Sequence, residues 1–251
     1  MKKKRKAFLV TLFLTVLLLG GWKILTLNKE SVSQPAAAPI SLSPSPTPSP
    51  APTPVPTPAV DPPAAQLITV NGKEELTGNG IPTVYYNQTD SQWANQPYGN
   101  DNIGVYGCGP VAMAMVISTM TDTAMDPAAM AQWAADNGYW ASESGTYHSF
   151  IQGAAAAFGL QASSCPRTAQ DLEEALLAGN LLVALMGPGH FTDGGHFIVL
   201  RGITLSGQVV VADPNSRENS LTAWDPQIIF DELSNSTVHG APLWVISPAE
   251  G

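Results

Sequence analysis

A thiol at the start of an apolar helical segment favours nucleophilic chemistry in this chain. Cys108 lies in the run Tyr-Gly-Cys-Gly-Pro at residues 106–110, and seven apolar residues follow it directly. Pro110 suits the first turn of a helix, because its missing N–H would have had no partner there. Unpaired amides and the positive end of the helix dipole stabilise an anion, so we expect Cys108 just outside the helix N-terminus with a lowered pKa. The alternative is a small buried cysteine that fills a gap in the core.

A histidine and an aspartate on neighbouring predicted strands could serve this thiol. His196 opens the apolar run at residues 196–203, and Asp213 ends the next apolar run. Because side chains alternate with a period of two, pairing of Gly202 near residue 207 places His196 opposite Asp213. A two-residue turn would instead leave them about 14 Å apart. We predict the first register, in which His196 accepts the thiol proton and Asp213 holds its tautomer.

Acyl chemistry on a thiol also needs donors for the carbonyl oxyanion. The backbone N–H of Cys108 can supply one, and a side-chain amide can supply another. The candidate is Gln88, in the run Tyr-Asn-Gln-Thr-Asp at residues 86–90. Asn102, six residues before the cysteine, is the local competitor.

The other cysteine and the other histidines carry weaker signals. Cys165 could pair with Cys108 in an oxidising exterior, which would silence the nucleophile. His190 and Asp193 share a glycine-rich loop with His196, which allows a metal interpretation, but the ligand spacing matches no known metal site. We predict no metal and no cofactor.

The two remaining histidines, His148 and His239, are interpreted as surface or structural residues.

Hydrophobic periodicity predicts helices in the first half of the domain and strands in the second. Asp126 and Thr168 are the expected N-caps of two of these helices. The predicted helices cover residues 110–120, 127–135, 149–158 and 168–178, and the predicted strands cover 181–186, 196–203, 208–213 and 243–246. Helices followed by an antiparallel sheet indicate an α+β fold. Its helical half would carry Cys108, and its sheet half would carry His196 and Asp213.

The N-terminal part of the chain predicts a membrane anchor. A basic segment at residues 1–6 precedes a mostly apolar segment at residues 7–27, which is long enough to cross a bilayer as a helix. Basic residues before such a segment place the N-terminus in the cytoplasm and the rest of the chain outside. A cleaved signal peptide is the alternative, but no small-residue cleavage site follows closely.

A proline-rich stalk is predicted at residues 28–68, ahead of a domain at residues 69–251. Twelve of the chain's 22 prolines lie between Pro35 and Pro63, mostly in alternation with small residues. In the extended polyproline II form, that stretch would span roughly 90 Å. The part from Glu30 onward carries four basic and twenty acidic residues, a formal charge of −16. Such a charge excludes nucleic acid and anionic lipid surfaces as natural partners of the exported part.

Several motifs occur in the order found in a known family. These are Tyr-Asn-Gln-Thr-Asp at residues 86–90, Gly-Cys-Gly-Pro at 107–110, Gly-His-Phe-Ile-Val-Leu at 195–200 and Asp-Pro at 213–214. The chain from about residue 84 to 246 thereby resembles the cysteine peptidase-like domains related to the double-glycine leader peptidases of bacteriocin exporters, a papain-like group.

This resemblance implies a papain-like fold with Cys108 as nucleophile, His196 as base and Asp213 as orienting residue. It implies Gln88 as the oxyanion donor. One spacing departs from the family, because about twenty residues separate Gln88 from Cys108 where the exporter enzymes have only a few.

The resulting hypothesis is a monomeric, membrane-anchored extracellular cysteine peptidase of a bacterial surface. Its substrate would be a peptide or a cell-wall peptide. One alternative keeps the thiol chemistry but makes the protein a cell-wall amidase or transpeptidase. Another is a binding module that retains the fold without turnover, which a disulfide between the two cysteines would favour.

Overall fold

The computed structural model describes residues 64–249. The predicted anchor and most of the predicted stalk lie outside the described residues, and the predicted domain start at residue 69 falls inside the first strand, Gln66–Val70. None of the helices in the described part has the length and apolar character needed to cross a bilayer. The helices are α1 (Ile103–Tyr106), α2 (Cys108–Met120), α3 (Pro127–Asp136), α4 (Ser149–Ala157), α5 (Ala169–Leu177), α6 (Arg217–Leu221) and α7 (Pro226–Glu232), with a 3₁₀ turn at Val238–Gly240.

The strands form one large antiparallel sheet and three small ones. The six-stranded sheet has the order β12-β11-β10-β9-β13-β8. It consists of β8 (Leu160–Ser164), β9 (Leu181–Met186), β10 (His196–Ile203), β11 (Val209–Ala212), β12 (Ala223–Trp224) and β13 (Leu243–Pro248). The smaller sheets are β1 (Gln66–Val70), β2 (Lys73–Thr77) and β3 (Thr83–Tyr85); β4 (Pro97–Tyr98) and β5 (Asp101–Asn102); and β6 (Trp140–Ala141) and β7 (Gly145–Thr146).

The large sheet buries apolar side chains on both faces. Along β9, Val183 and Leu185 pack into the cluster that contains α2, α3 and α4, whereas Leu182 and Ala184 pack into a second cluster with α5 and α7. Successive side chains of a strand point to opposite faces, so two covered faces require a continuous apolar run. This explains why the strand sequences show no polar alternation. The predicted α+β class is confirmed, with the helices α2, α3 and α4 packed on one face of an antiparallel sheet.

The predicted helices and strands agree closely with the structure where local signals are strong. The predicted caps are present: Asp126 accepts a hydrogen bond from Ala129 N, and Thr168 accepts one from Asp171 N. One detail of α2 differs from the prediction. Cys108 is the first residue of the helix and Gly107 is its N-cap, so the thiol lies inside the first turn rather than just outside it.

The predicted register between β10 and β11 is wrong. Val199 lies opposite Ala212, and the register shifts between Leu200 and Gly202, which pairs with Val210 rather than with a residue near 207. The shift is a β-bulge, because one extra residue, Arg201, lies in β10.

Contacts outside the sheet stabilise this bulge. The buried Arg201 guanidinium donates to the carbonyl oxygens of Thr77, Asn79 and Ile81. The backbones also approach closely, since a Cβ on Gly202 would lie 2.3 Å from the Cα of Gly80. The bulge therefore depends on a segment distant in sequence, which the pattern within the two strands does not reveal.

Candidate active site

Cys108 lies where glycines allow the backbone to pack tightly. A Cβ at Gly109 would lie 2.7 Å from Thr146 Oγ1, and one at Gly107 would lie 2.6 Å from the carbonyl oxygen of Ile103. Neither position accepts a side chain without movement of its neighbours. The tight packing brings the partly exposed thiol to the start of a helix whose following nine residues are buried.

The surroundings of Cys108 favour the thiolate. Burial by itself raises the pKa of the thiol, but a hydrogen bond with His196 and the charge of its imidazole outweigh that effect. Backbone hydrogen bonds from Phe197 and Gly109 add to the lowering, so the pKa of Cys108 lies below its ordinary value. A thiol with a lowered pKa and a histidine partner is the arrangement that activates cysteine nucleophiles.

His196 and Asp213 form a buried pair at the edge of the helical half. The Nε2 of His196 lies 2.7 Å from Oδ1 of Asp213, although the strand register is not the one predicted. Continuing the pairing of Val199 with Ala212 would place residue 215 opposite His196. Asp213 is two residues away on the same face, and a diagonal neighbour remains within reach of a long side chain.

The contact with the carboxylate assigns the proton of the imidazole. A carboxylate only accepts hydrogen bonds, so Nε2 of His196 carries the proton and Nδ1 is left for the thiol. Burial lowers the pKa of His196, but hydrogen bonds with Asp213 and Cys108 and their charges raise it to about 10. A protonated imidazole beside an ionised sulfur is therefore the favoured state of the pair.

Gln88 lies between the two halves of this site. Its backbone N–H donates to the carbonyl oxygen of Pro214, 2.6 Å away, and its side-chain Nε2 donates to the carbonyl oxygen of Gly104, 3.0 Å away. Pro214 follows Asp213 directly, and Gly104 lies in the short helix α1 that ends just before Gly107. The residues between Gln88 and Cys108 form β4, β5 and α1. Through Gly104, Gln88 nevertheless contacts the segment directly before the cysteine.

The amide of Gln88 also has unused hydrogen-bonding capacity. The side chain is 4% exposed, and its Oε1 has no hydrogen-bond partner in the structure. One of the two Nε2 protons is occupied by Gly104, which leaves the second for a ligand. Asn102, the competing candidate, is the N-cap of α1, where its side-chain oxygen accepts from Val105 N.

The other residues considered from the sequence lie apart from the Cys108–His196–Asp213 group. Cys165 is unpaired and packs in the second hydrophobic cluster, whereas Cys108 packs against the first. Among the described residues, no group of three or more metal-capable side chains comes together. His190 instead binds Glu232 through both its backbone N–H and its ring.

Two cavities close to the site are lined by residues that the sequence did not point to. The first, of about 430 Å³, is bordered by Thr146, His148 and His239, and by the exposed side chains of Tyr147 and Val238. Thr146 also contacts Gly109, so this cavity lies beside the cysteine. His148 and His239 thus border a cavity next to the site, which their isolated positions in the sequence did not indicate.

The second cavity, of about 540 Å³, lies beside the histidine. It is lined by Gly194 and Gly195, directly before His196, and by Ser236. The Oγ of Ser236 lies 3.0 Å from Nδ1 of His148, which borders the first cavity. A hydrogen bond thus joins one lining residue of each cavity, on the cysteine and histidine sides of the site.

Comparison with known proteins agrees with this arrangement. The fold and the pairing of a helix-borne cysteine with a strand-borne histidine are those of a papain-like protein. The model of the Peptidase_C39-like family matches residues 81–234, and the chain belongs to that family. The protein is accordingly a cysteine peptidase. No curated protein matches the chain.

Two solved structures are similar to the chain at low identity. One is a double glycine motif protease from an AMS/PCAT transporter in complex with the leader peptide, at 16% identity and a TM-score of 0.44, covering 70% of this chain and 98% of that one. The other is the peptidase domain of Streptococcus ComA, a bi-functional ABC transporter involved in a quorum sensing pathway. It shows 18% identity and a TM-score of 0.40, covering 57% of this chain and 93% of that one.

Proposed function

We propose that the protein is a membrane-anchored extracellular peptidase that cleaves peptide bonds through an acyl-enzyme on Cys108. The observation that carries the proposal is the group of Cys108, His196 and Asp213, in which the imidazole bonds to the carboxylate through Nε2 and also interacts with the thiol. Three groups in this order provide a nucleophile, a base and an orienting carboxylate.

The proposed reaction has two stages. The thiolate of Cys108 attacks the carbonyl carbon, the C–N bond breaks, and the imidazolium of His196 gives its proton to the leaving amine. A water molecule then attacks the carbonyl carbon of the thioester while His196 takes a proton from it, the C–S bond breaks, and the carboxylic acid leaves with the thiolate of Cys108 and the imidazolium of His196 restored. The Cys108 N–H and the free Nε2 proton of Gln88 would stabilise the oxyanion in both stages.

Thiol labelling tests the proposal and needs no substrate. Iodoacetamide at about pH 6 should alkylate Cys108 far faster than Cys165, because the pKa of Cys108 is lowered and that of Cys165 is raised. His196→Ala should abolish the difference, whereas His190→Ala, a change to a histidine outside the group, should preserve it. Equal and slow labelling of the two cysteines in the wild-type protein would contradict the proposal.

The anchor and the location are part of the same proposal. They rest on the basic and apolar segments at residues 1–6 and 7–27, and on the excess of acidic residues beyond them. N-terminal sequencing of the native protein from the membrane fraction tests them. A start beyond Lys29 would show that the anchor is removed.

A second candidate, a cell-wall amidase or transpeptidase with the same catalytic group, is favoured by the stalk. The proline-rich stretch between Pro35 and Pro63 provides a reach of roughly 90 Å, which suits a substrate away from the membrane. Incubation of the purified protein with cell wall and with unrelated peptides separates the two. Release of stem-peptide fragments without cleavage of free peptides would favour the second candidate.

A further inference from the structure

The two carboxylate oxygens of Asp213 have different partners. Oδ1 accepts from His196 Nε2 at 2.7 Å and from the backbone N–H of Asn215 at 2.8 Å. Oδ2 accepts from the side-chain Nδ2 of Asn219 at 2.8 Å. Asp213 is fully buried, so water cannot replace a lost partner. The orientation of the carboxylate therefore depends on the Asn219 amide as well as on the histidine.

The Asn219 amide is itself held in place by the short helix α6. The backbone N–H of Asn219 donates to Oγ of Ser216, the N-cap of this helix, at 3.1 Å. Its carbonyl oxygen accepts from Nε1 of Trp224 at 3.0 Å. Backbone bonds on both sides restrict the position from which the amide reaches Asp213.

The same helix also holds the backbone of Asp213. The N–H of Asp213 donates to Oγ of Ser220 at 2.9 Å, and its carbonyl oxygen accepts from the Tyr85 hydroxyl at 2.9 Å. Arg217, in the first turn of α6, forms ion pairs with Glu74 and Asp90. The helix is thus attached both to the aspartate and to the segment that carries β2.

We propose that Asn219 is a positioning residue for the proposed reaction, and that it acts by holding the carboxylate of Asp213 toward His196. This inference rests on the proposed function. A neutral amide donor stabilises the ionised carboxylate without competing with the imidazolium for its charge. Without that donor, the charge of Asp213 is less favourable, the imidazolium of His196 is less supported, and the thiolate of Cys108 loses part of its stabilisation.

The test is the pH dependence of Cys108 alkylation by iodoacetamide in Asn219→Ala, between about pH 4 and 10. A thiol pKa raised by about one unit leaves about a tenth of the thiolate on the acid limb, so the rate there should decrease about tenfold. The second change in the alkylation rate, at the high pH where His196 loses its proton, should move to lower pH. Asn137→Ala is the matched control, since it removes an amide that donates at 2.8 Å to a backbone carbonyl in α3, and it should leave both limbs in place.

The outcomes separate a positioning role from a structural one. If Asn219 only stabilises α6, its substitution should lower the melting temperature and the fraction of protein that reacts, while both limbs keep their positions. That result would overturn the inference. If Asn219→Ala does not fold, the same alkylation profile is measured for Asn219→Ser. Its acid limb must then move to higher pH and its alkaline limb to lower pH. A wild-type protein without an acid-active thiol would instead overturn the proposed function itself.

Discussion

The two cysteines of this chain lie in surroundings that have opposite effects on the thiol. Cys108 lies at the start of α2 beside His196, and its pKa is lowered even though burial alone would raise it. Cys165 is buried without such a partner; burial first and then the charge of Asp171 raise its pKa to about 11. The comparison shows that a positive partner and directed N–H groups decide whether a buried thiol becomes reactive.

The largest expected effect is the loss of peptidase activity in Cys108→Ala. Removing the nucleophile should lower kcat by at least about 10⁵-fold, as the catalytic group acts as a unit. A peptide-cleavage assay on variants with matched melting temperatures measures this. Activity that persists in Cys108→Ala and disappears in Cys165→Ala would reverse the assignment of the two thiols.

Asp213→Asn should have the next largest effect. The change keeps the shape of the side chain but removes its charge and turns one of its two acceptor atoms into a donor, which must face either His196 or the Asn219 amide, so kcat should decrease by up to about 10⁴-fold. The alkylation rate of Cys108 at about pH 6 should decrease with it, whereas that of Cys165 should not change. An unaltered Cys108 rate would show that Asp213 does not contribute to the ionisation of the thiol.

Gln88→Ala should reduce turnover without changing the thiol. Loss of one oxyanion donor costs about 10²- to 10³-fold in kcat, with little change in KM. Because Gln88 does not contribute to the lowered pKa of Cys108, the pH profile of alkylation should remain that of the wild type. A shifted profile would indicate that Gln88 acts through the packing of α1 rather than on the oxyanion.

The stability of the protein should respond to pH through the cysteine–histidine pair. The pKa of His196 is raised from an ordinary 6.5 to about 10, and that of Cys108 is lowered from 9.0. At neutral pH, folding transfers one proton from the sulfur to the imidazole without net uptake or release. The pair therefore adds no pH dependence to the free energy of unfolding there. Above about pH 9 the unfolded thiol loses its proton while the folded imidazolium keeps one until about pH 10, so the free energy of unfolding should decrease.

Urea unfolding of Cys108→Ser at a series of pH values tests this difference. Without the thiol, His196 loses the charge of Cys108 but keeps the hydrogen bond and charge of Asp213, so its folded pKa is raised by less than in the wild type. The free energy of unfolding should then decrease from about pH 6.5 upward, where the unfolded imidazole loses its proton, until the folded imidazole also loses its proton. Cys165→Ser should retain the wild-type plateau, and identical curves for the two variants would contradict the assigned ion pair.

The smallest effect is expected for Cys165→Ala. The side chain is 6% exposed and lies in the second hydrophobic cluster, so its truncation should lower the free energy of unfolding by about 1 kcal/mol. Peptidase activity and the Cys108 alkylation profile should match the wild type. Denaturant unfolding beside an activity assay provides both readouts.

Much of the fold could be predicted because its signals are local. The bounds of β9 and β10 agree with the apolar runs, and the caps Asp126 and Thr168 are where the sequence places them. The first three strands were not predicted, since β1 is mostly exposed and β2 contains charged residues, which leaves no apolar pattern. The helices α6 and α7 are too short to be stable on local signals alone, and contacts with distant segments stabilise them.

Part of the site could also be predicted, because its signals are local in the sequence. His196 and Asp213 could be associated because one begins and the other ends an apolar run, although the predicted register between the two strands was wrong. The bulge at Arg201 depends on carbonyl groups more than a hundred residues earlier in the chain, which no pattern in the strands encodes. Asn219 was not predicted, because a single amide in a short helix carries no signal until its partner is known.

The placement of His196 and Asp213 on one sheet, with Cys108 on a helix, has a mechanical consequence. A small rotation of the helical half about the sheet would lengthen the contact between sulfur and imidazole, while the contact between imidazole and carboxylate would travel with the strands unchanged. The reactivity of the thiol therefore depends on how α2 packs against the sheet, whereas the bond between imidazole and carboxylate does not.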